Sequence, residues 1–295
     1  MRIGVIFPHA AVGADRGAIR AYAQAVEGLG YAHLRAADHV LGADRDVHPG
    51  WTRPYDVDTV IHEPFVLFGH LAALTDLELV TAVIILPQRQ TALVAKQAAQ
   101  VDLLTGGRFR LGIGAGWNAV EFEALGKDFA NRGRRYDEQI GLLRRYWTER
   151  SITHRGEFEQ VTGAGIAPPP IQRPIPLWFG AGSAPAYRRV GRLGDGWFPL
   201  LQPGPELDEA RAIVDKAAVD AGRDPATIGL ETTISWTGSP DAVAGQVRAW
   251  REAGATHVAV NTTQPGITTV DQHIDALTLA AGALELAPAR GARAA

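Results

Sequence analysis

The chain has 295 residues, 46% of them hydrophobic and 21% charged, with a formal net charge of -3 and no cysteine. These values suit a globular protein with a substantial core, give no electrostatic basis for binding nucleic acid or an anionic membrane, and exclude disulfides, thiolate nucleophiles and cysteine-ligated metals. No apolar run approaches the roughly 18 residues of a membrane-spanning helix, and Met1 to Phe7 lacks a basic region followed by a long apolar run, so a cytoplasmic protein acting on a small molecule is expected.

Short apolar strands alternate with longer amphipathic segments along the whole chain. Ile3 to Phe7 reads as a buried strand, and Ala18 to Leu29 as a helix stopped by Gly30. Ala32 to Ala36 reads as a second strand, ending at Asp38 and His39. Gly42 to Glu63 is long and polar and breaks the rhythm. Leu79 to Leu86 is apolar and β-branched, as expected of a strand buried on both faces. A helix over Thr91 to Leu104 and a strand over Phe109 to Gly112 follow, then a helix over Arg134 to Trp147. Thr148 to Pro176 is a second interruption, opening with a hairpin at Ile152 to Phe158 and running into the proline-rich APPPIQRPIP. Ile175 to Phe179, Gly196 to Pro199, Ile228 to Thr233 and His257 to Val260 complete the strands. Helices at Ala184 to Leu193, Glu206 to Ala221, Asp241 to Ala253 and Val270 to Leu284 separate or follow them, and the tail after Ala287 is expected to fray.

Eight strands, most followed by a helix, predict an α/β protein: a single (β/α)8 TIM-barrel domain over 1–295, with insertions at about 42–63 and 148–176. A doubly wound open sheet is the alternative architecture. Long insertions in a barrel usually form lids or edge covers.

In a parallel barrel, ligands bind at the carboxyl ends of the strands. Asp38-His39 sits at such an end, where a histidine can exchange a proton near neutral pH; the pair also reads as a cap on the next helix. Its two side chains should serve different partners, because successive residues of a strand point oppositely. Gly112, Gly114 and Gly116 strip side chains from the fourth strand, so that something flat can press on its backbone, unless they only form a tight turn. The glycine spacing is not that of a dinucleotide fingerprint. Gly180-Ala181-Gly182-Ser183 opens a helix, with free N–H groups and a hydroxyl suited to phosphate, or with Ser183 simply capping that helix. Asp195, in the turn before the Gly196 strand, is expected to pin that turn. His9 ends the first strand and can face the same mouth. Trp51, Arg53, Tyr55 and Trp197 are candidates for a partly aromatic substrate pocket or lid, or for mere packing of the insertion. His48, His62 and His70 are too scattered for a metal site, and no metal is expected.

Several segments together resemble the bacterial luciferase-like superfamily, and more narrowly its coenzyme F-420-dependent oxidoreductases: TAVIILPQRQTALVAKQAAQVDLLTGGRFRLGIGAGWNAVEFEALGKDF, RGRRYDEQIGLLRRYWTE, PIPLWFGAGS and RRVGRLGDGWFP. The resemblance runs from about Arg2 to Gly254. It implies a barrel with an inserted segment, a homodimer, and a deazaflavin held face-on at the strand tips. It places Asp38 and His39 at the ring, with His39 near the hydride-carrying carbon. It implies a non-proline cis peptide at Ala82-Val83 behind the ring, cofactor contacts from Gly114 and Asn118, and a phosphate-holding loop at Gly180, Ala181, Gly182 and Ser183. One departure stands out. The family's sugar-phosphate dehydrogenases carry a glutamate in the glycine strand as proton acceptor, whereas this chain has Ala115, and their sugar-phosphate-binding basic residues have no match.

Three functions remain open on these grounds. The first is hydride transfer between coenzyme F-420 and a small organic substrate, with His39 as the catalytic residue. The second keeps the fold but uses FMN and molecular oxygen, as a monooxygenase. The third is a cofactor-free binding homologue.

Overall fold

The structure is a computed structural model and describes residues 1–288; the predicted fraying tail lies, from residue 289, outside the described residues. Eight parallel strands close into a barrel: β1 (Arg2–Ile6), β2 (His33–Ala36), β3 (Glu78–Thr81), β4 (Phe109–Gly114), β5 (Leu177–Ala181), β6 (Gly196–Pro199), β7 (Gly229–Ser235) and β8 (His257–Asn261). Each pairs with the next, β3 bonds to β4, and β8 returns to β1 in the register Arg2 with His257 through Val5 with Val260. The open-sheet alternative is thereby ruled out. The strands are short and almost wholly buried because both faces are covered, by interior side chains on one side and by helices on the other.

Alternation along the strands sorts the side chains. On β3, Leu79 packs outward with the main core while Val80 joins Trp178 and Phe198 inside the barrel. The lower barrel is filled by charge. Glu231 of β7 is fully buried and takes His33 Nε2 at 2.9 Å, Arg110 Nη1 at 2.8 Å and Arg35 Nη1 at 3.3 Å. Glu78 takes Arg110 Nε at 2.9 Å and Arg2 Nη1 at 2.9 Å. Two of these guanidinium groups also stack on the interior aromatics, Arg110 over Trp178 at 4.4 Å and Arg35 over Phe198 at 5.0 Å.

Most predicted elements match the observed ones to within two or three residues. The expected strand Leu79 to Leu86 does not run through. It breaks after Thr81, has a cis peptide at Ala82-Val83, resumes for Ile84–Ile85 beside Ile113 and Gly114, and ends in a 3-10 turn at Leu86–Gln88. Three α-helices fall outside the expected set, the first a single turn at His9–Val12. Pro64–Leu71 is apolar on most of its surface, and Glu63, whose side chain accepts from Val66 N–H, caps it. Ala119–Ala124 is only six residues long and is capped by Asn118. The second insertion forms a two-stranded antiparallel hairpin, Ile152–Arg155 with Gln160–Ala164.

Candidate active site

The tip of β2 divides its two polar residues as alternation requires. Asp38 is buried, and its carboxylate accepts from Arg89 Nη2 at 2.8 Å and from Ile85 N–H at 3.3 Å. It therefore ties the β2 tip to the segment after the cis bond, while Arg89 also reaches Glu63 at 3.3 Å. Burial pushes the Asp38 carboxyl up, against the opposing pull of Arg89. With both oxygens engaged, Asp38 builds the wall rather than offering a free group to a ligand.

His39 points the other way. Its Nδ1 lies 3.1 Å from Glu121 Oε2, and Glu121 is fully buried in the short helix after β4. Glu121 Oε1 accepts from the N–H groups of Val40 at 2.7 Å and Leu41 at 3.3 Å, and Oε2 also receives Gln88 Nε2 at 3.3 Å. Burial pushes the Glu121 carboxyl up, but His39 and these donors outweigh it and leave it below the ordinary carboxylate range. The sequence reading missed Glu121. It stands three residues after Asn118, and Asn-x-x-Glu before a helix reads as a capping box, in which the glutamate would turn back to its own helix. Only the arrival of the β2 tip beside it gives Glu121 another partner.

The insertion folds over this pair. The ring of Tyr55 lies 4.2 Å from that of His39, Trp117 stands edge-on to His39 at 5.4 Å, Trp51 lies 5.6 Å from Trp117, and Arg53 sits over Trp117 at 5.6 Å. Tyr55 (φ 70) lines two spaces. One, of about 260 Å³, also touches His39 and Ile61. The larger, of about 610 Å³, lies at the tips of β1, β2 and β8 and is bordered by Ile6, His9, Arg35, Ala82, Asn261 and His273, among others. His9 Nδ1 accepts from His62 N–H at 3.0 Å, and the two rings stack at 5.6 Å. Burial, then the nearby His62, brings the His9 pKa down to about 4. His9 is therefore a neutral group at physiological pH.

The glycine strand serves a partner other than the one expected. A Cβ on Gly112 would lie 1.8 Å from the carbonyl oxygen of Thr81, one on Gly114 2.7 Å from Val83 Cγ2, and one on Gly116 2.5 Å from Ile85 Cγ2. The surface cleared by these glycines is filled by the protein's own segment Thr81 to Ile85. Val83 also lies 3.4 Å from where a Cβ on Gly180 would be, so its side chain spans the tips of β4 and β5, while Ala82 borders the larger cavity.

Asn118 acts as a cap: its Oδ1 accepts from Val120 N–H at 3.1 Å and Glu121 N–H at 3.3 Å, and its Nδ2 donates to Leu41 O at 3.5 Å. At the end of β5, Ser183 is the N-cap of helix Ala184–Leu193, yet its hydroxyl makes no capping bond. Gly182 and Ser183 are exposed, so this helix start is open to an anion. The loop does not line the larger cavity. Asp195 pins its turn as expected, accepting Leu177 N–H at 2.8 Å and Arg144 Nη2 at 3.0 Å.

Trp197 must be corrected as a pocket residue. It packs edge-on against Tyr187 at 5.6 Å, on the helix side of β6, whereas its neighbour Phe198 faces the barrel interior. Strand alternation decides this, and the sequence reading picked the wrong parity. Among the described residues there is no cluster of three or more groups that could hold a metal, and no helix is long and apolar enough to cross a membrane.

Comparison with known proteins gives this architecture a family. An uncharacterized protein of Mycobacterium tuberculosis is 33% identical over 207 residues, covering 68% of this chain and 71% of its own length. The FMNH(2)-dependent dimethylsulfone monooxygenase of Pseudomonas putida is 30% identical over 189 residues, covering 62% of this chain and 51% of that protein. An F420-dependent secondary alcohol dehydrogenase, solved with an F420-acetone adduct, superposes with a TM-score of 0.77 at 17% identity, over 96% of this chain and 98% of that one, a likeness of fold. The model of the luciferase-like monooxygenase family matches residues 1–257. A closed eight-stranded barrel with a cavity at the strand tips, matched by that model over most of its length, makes this chain a member of the luciferase-like monooxygenase family.

Proposed function

We propose that the protein is a coenzyme F-420-dependent oxidoreductase that transfers a hydride to or from a small, neutral, largely apolar substrate. The observation that carries this reading is His39: one positioned imidazole, with Nδ1 held by Glu121 and Nε2 without a protein partner among the described residues. Hydride chemistry on a carbonyl or alcohol moves one hydride and one proton, and a single oriented histidine suffices for the proton. When bound, the deazaflavin supplies or accepts the hydride. The residues present fit such a group. The cavity of about 610 Å³ has the size of a small-molecule site, and the uncapped start of helix Ala184–Leu193 can take a phosphate through Ser183 and free N–H groups. Ala82, Ile6 and Ile267 give the larger cavity an apolar wall, His39 borders the smaller space, and Tyr55 lines both. Arg35, the cation bordering the cavity, has both Nη atoms bonded, to Glu231, Thr232 O and Thr233, and only its buried Nε lacks a partner among the described residues; its charge is already paired with Glu231, which supports an uncharged substrate.

A second reading has its own support, because the Pseudomonas putida relative is an FMNH(2)-dependent monooxygenase. Titrating the apoprotein with coenzyme F-420 and with FMN, followed by fluorescence, separates the two. Tight deazaflavin binding with much weaker FMN binding is expected. The reverse order refutes the proposal in favour of the monooxygenase, and binding of neither points to a cofactor-free homologue.

A further inference from the structure

We infer that Glu121 is a positioning residue that fixes the tautomer of His39, holding the ring proton on Nδ1 and leaving Nε2 as the free nitrogen. The inference uses the proposed function only in taking Nε2 as the reacting end; the tautomer itself follows from bonding capacity.

An ionised carboxylate can only accept hydrogen bonds. Glu121 Oε1 is filled by Val40 and Leu41 N–H, and Oε2 receives Gln88 Nε2 and His39 Nδ1. Every partner must therefore donate, and a neutral His39 can do so only with its proton on Nδ1. Free histidine favours the other tautomer, so the assignment is a specific consequence of the site. A histidine whose second nitrogen is held in this way is fixed in ring orientation as well as in tautomer.

The chain devotes several features to this contact. Asn118 caps the helix and holds the Glu121 N–H at 3.3 Å. Glu121 is the third residue of that helix, where the positive end of the helix dipole favours a carboxylate. Gly116 (φ 81) makes the turn that brings Asn118 and its helix back under the β2 tip. Gln88 Oε1 finds no partner among the described residues, so Gln88 is bonded through its amide nitrogen alone, toward Glu121.

Glu121→Gln offers a clean perturbation. Its Oε1 can keep both backbone N–H groups, which places its amide nitrogen, now a donor, against His39 Nδ1 and Gln88. Gln88 can rotate its amide by a half turn and accept through Oε1. His39 can accept only by moving its proton to Nε2. The variant should therefore fold, and invert the tautomer.

The test is long-range 1H–15N correlation spectroscopy on 15N-labelled protein without cofactor, at about pH 8.5 where an ordinary histidine is neutral. The His39 signals are assigned by their loss in His39→Gln. The expected result is Nδ1–H in the unmodified protein and Nε2–H in Glu121→Gln. Nε2–H in the unmodified protein overturns the inference, as does an unchanged tautomer in a folded Glu121→Gln. Should that variant not fold, the spectrum of the unmodified protein decides alone. With cofactor bound, the variant should lose on the order of 10²-fold or more in single-turnover hydride transfer, as for a general acid–base group in the wrong protonation geometry. An inverted tautomer with an unchanged rate upholds the role of Glu121 and removes His39 from the chemistry.

Discussion

Acidification should destabilise this protein well before its carboxylates titrate, because histidines are buried in their neutral form. Burial and His62 lower His9 to about 4, and burial and the Arg110 charge lower His257 to about 3, from an ordinary 6.5. In the unfolded chain both take up a proton as the pH drops through 6.5, while in the folded protein they stay neutral. Stability is therefore complete above about pH 7 and falls below it, by about 1.4 kcal/mol per pH unit for each group. At pH 5 the pH lies about 1.5 units below the unfolded value, so His9 alone removes about 2 kcal/mol. His257 is less deeply buried and contributes somewhat less, giving about 3–4 kcal/mol together, a large share of the 5–15 kcal/mol typical of a folded domain. The decline from His9 levels off near its folded value of about 4. Glu231 adds nothing in this window. Although burial pushes it up, His33, Arg110 and Arg35 hold it well below 4.5, so its contribution is lost only at lower pH. Urea unfolding at about pH 8, 6.5 and 5 measures the slope. His9→Asn keeps an oxygen to accept His62 N–H and should make the slope shallower, the remainder coming from His257 and from His33, His62 and His273, which burial also lowers. A stability that is flat or rising from pH 8 to pH 5 refutes the reasoning.

Other perturbations test the architecture around the site. Gly112→Ala puts a Cβ 1.8 Å from the Thr81 carbonyl oxygen, a backbone atom that cannot move without parting β3 from β4, whereas Gly114→Ala meets the Val83 side chain at 2.7 Å. The first should lose more than about 3 kcal/mol or fail to fold and the second about 1–3 kcal/mol, as read by thermal unfolding. Equal, small losses would show that Thr81 to Ile85 does not lie against the glycine strand. Glu231→Gln leaves Arg35, Arg110 and His33 around a neutral amide and should cost about 3–5 kcal/mol in urea unfolding. A neutral effect would mean that the cluster is hydrated. His39→Ala should keep the fold and reduce single-turnover hydride transfer by on the order of 10²-fold or more; an unchanged rate removes His39 from the mechanism.

The barrel was legible because its signals are local. The helices Thr91–Leu104 and Ala184–Leu193 and strand β6 begin and end where apolar periodicity and glycine or proline punctuation place them. What was not legible depends on pairs distant in sequence. Leu79 to Leu86 has the composition of one continuous strand, and nothing within it says that Thr81, Val83 and Ile85 will fill the space above Gly112, Gly114 and Gly116. The glycine run did announce a close approach, but composition cannot tell a ligand from the protein's own backbone. Trp197 illustrates a smaller failure: its neighbour Phe198 is equally apolar, so alternation alone leaves the parity of the strand open. Glu121 illustrates the reverse, a residue with a complete local explanation whose actual partner lies 82 positions away.

The arrangement of charge inside the barrel bears on what the cavity can bind. Four of the charged side chains buried there are two cations, Arg35 and Arg110, and two carboxylates, Glu78 and Glu231. They cancel one another over a few ångströms, so their combined field at the strand tips is small even though each is buried. A negatively charged substrate that drew Arg35 away from Glu231 would weaken the compensation of a fully buried carboxylate, a change worth several kcal/mol against binding. A neutral substrate disturbs nothing. The barrel thus sets each of these charges against an opposite one, although His33 Nδ1, Arg35 Nε and Arg110 Nη2 have no hydrogen-bond partner among the described residues. A ligand in the cavity above would meet an apolar wall and neutral hydrogen-bonding groups such as Asn261 and the uncharged His9. Within a series of otherwise similar compounds, adding a carboxylate or phosphate should therefore weaken binding, while lengthening an apolar chain should strengthen it until the cavity is full.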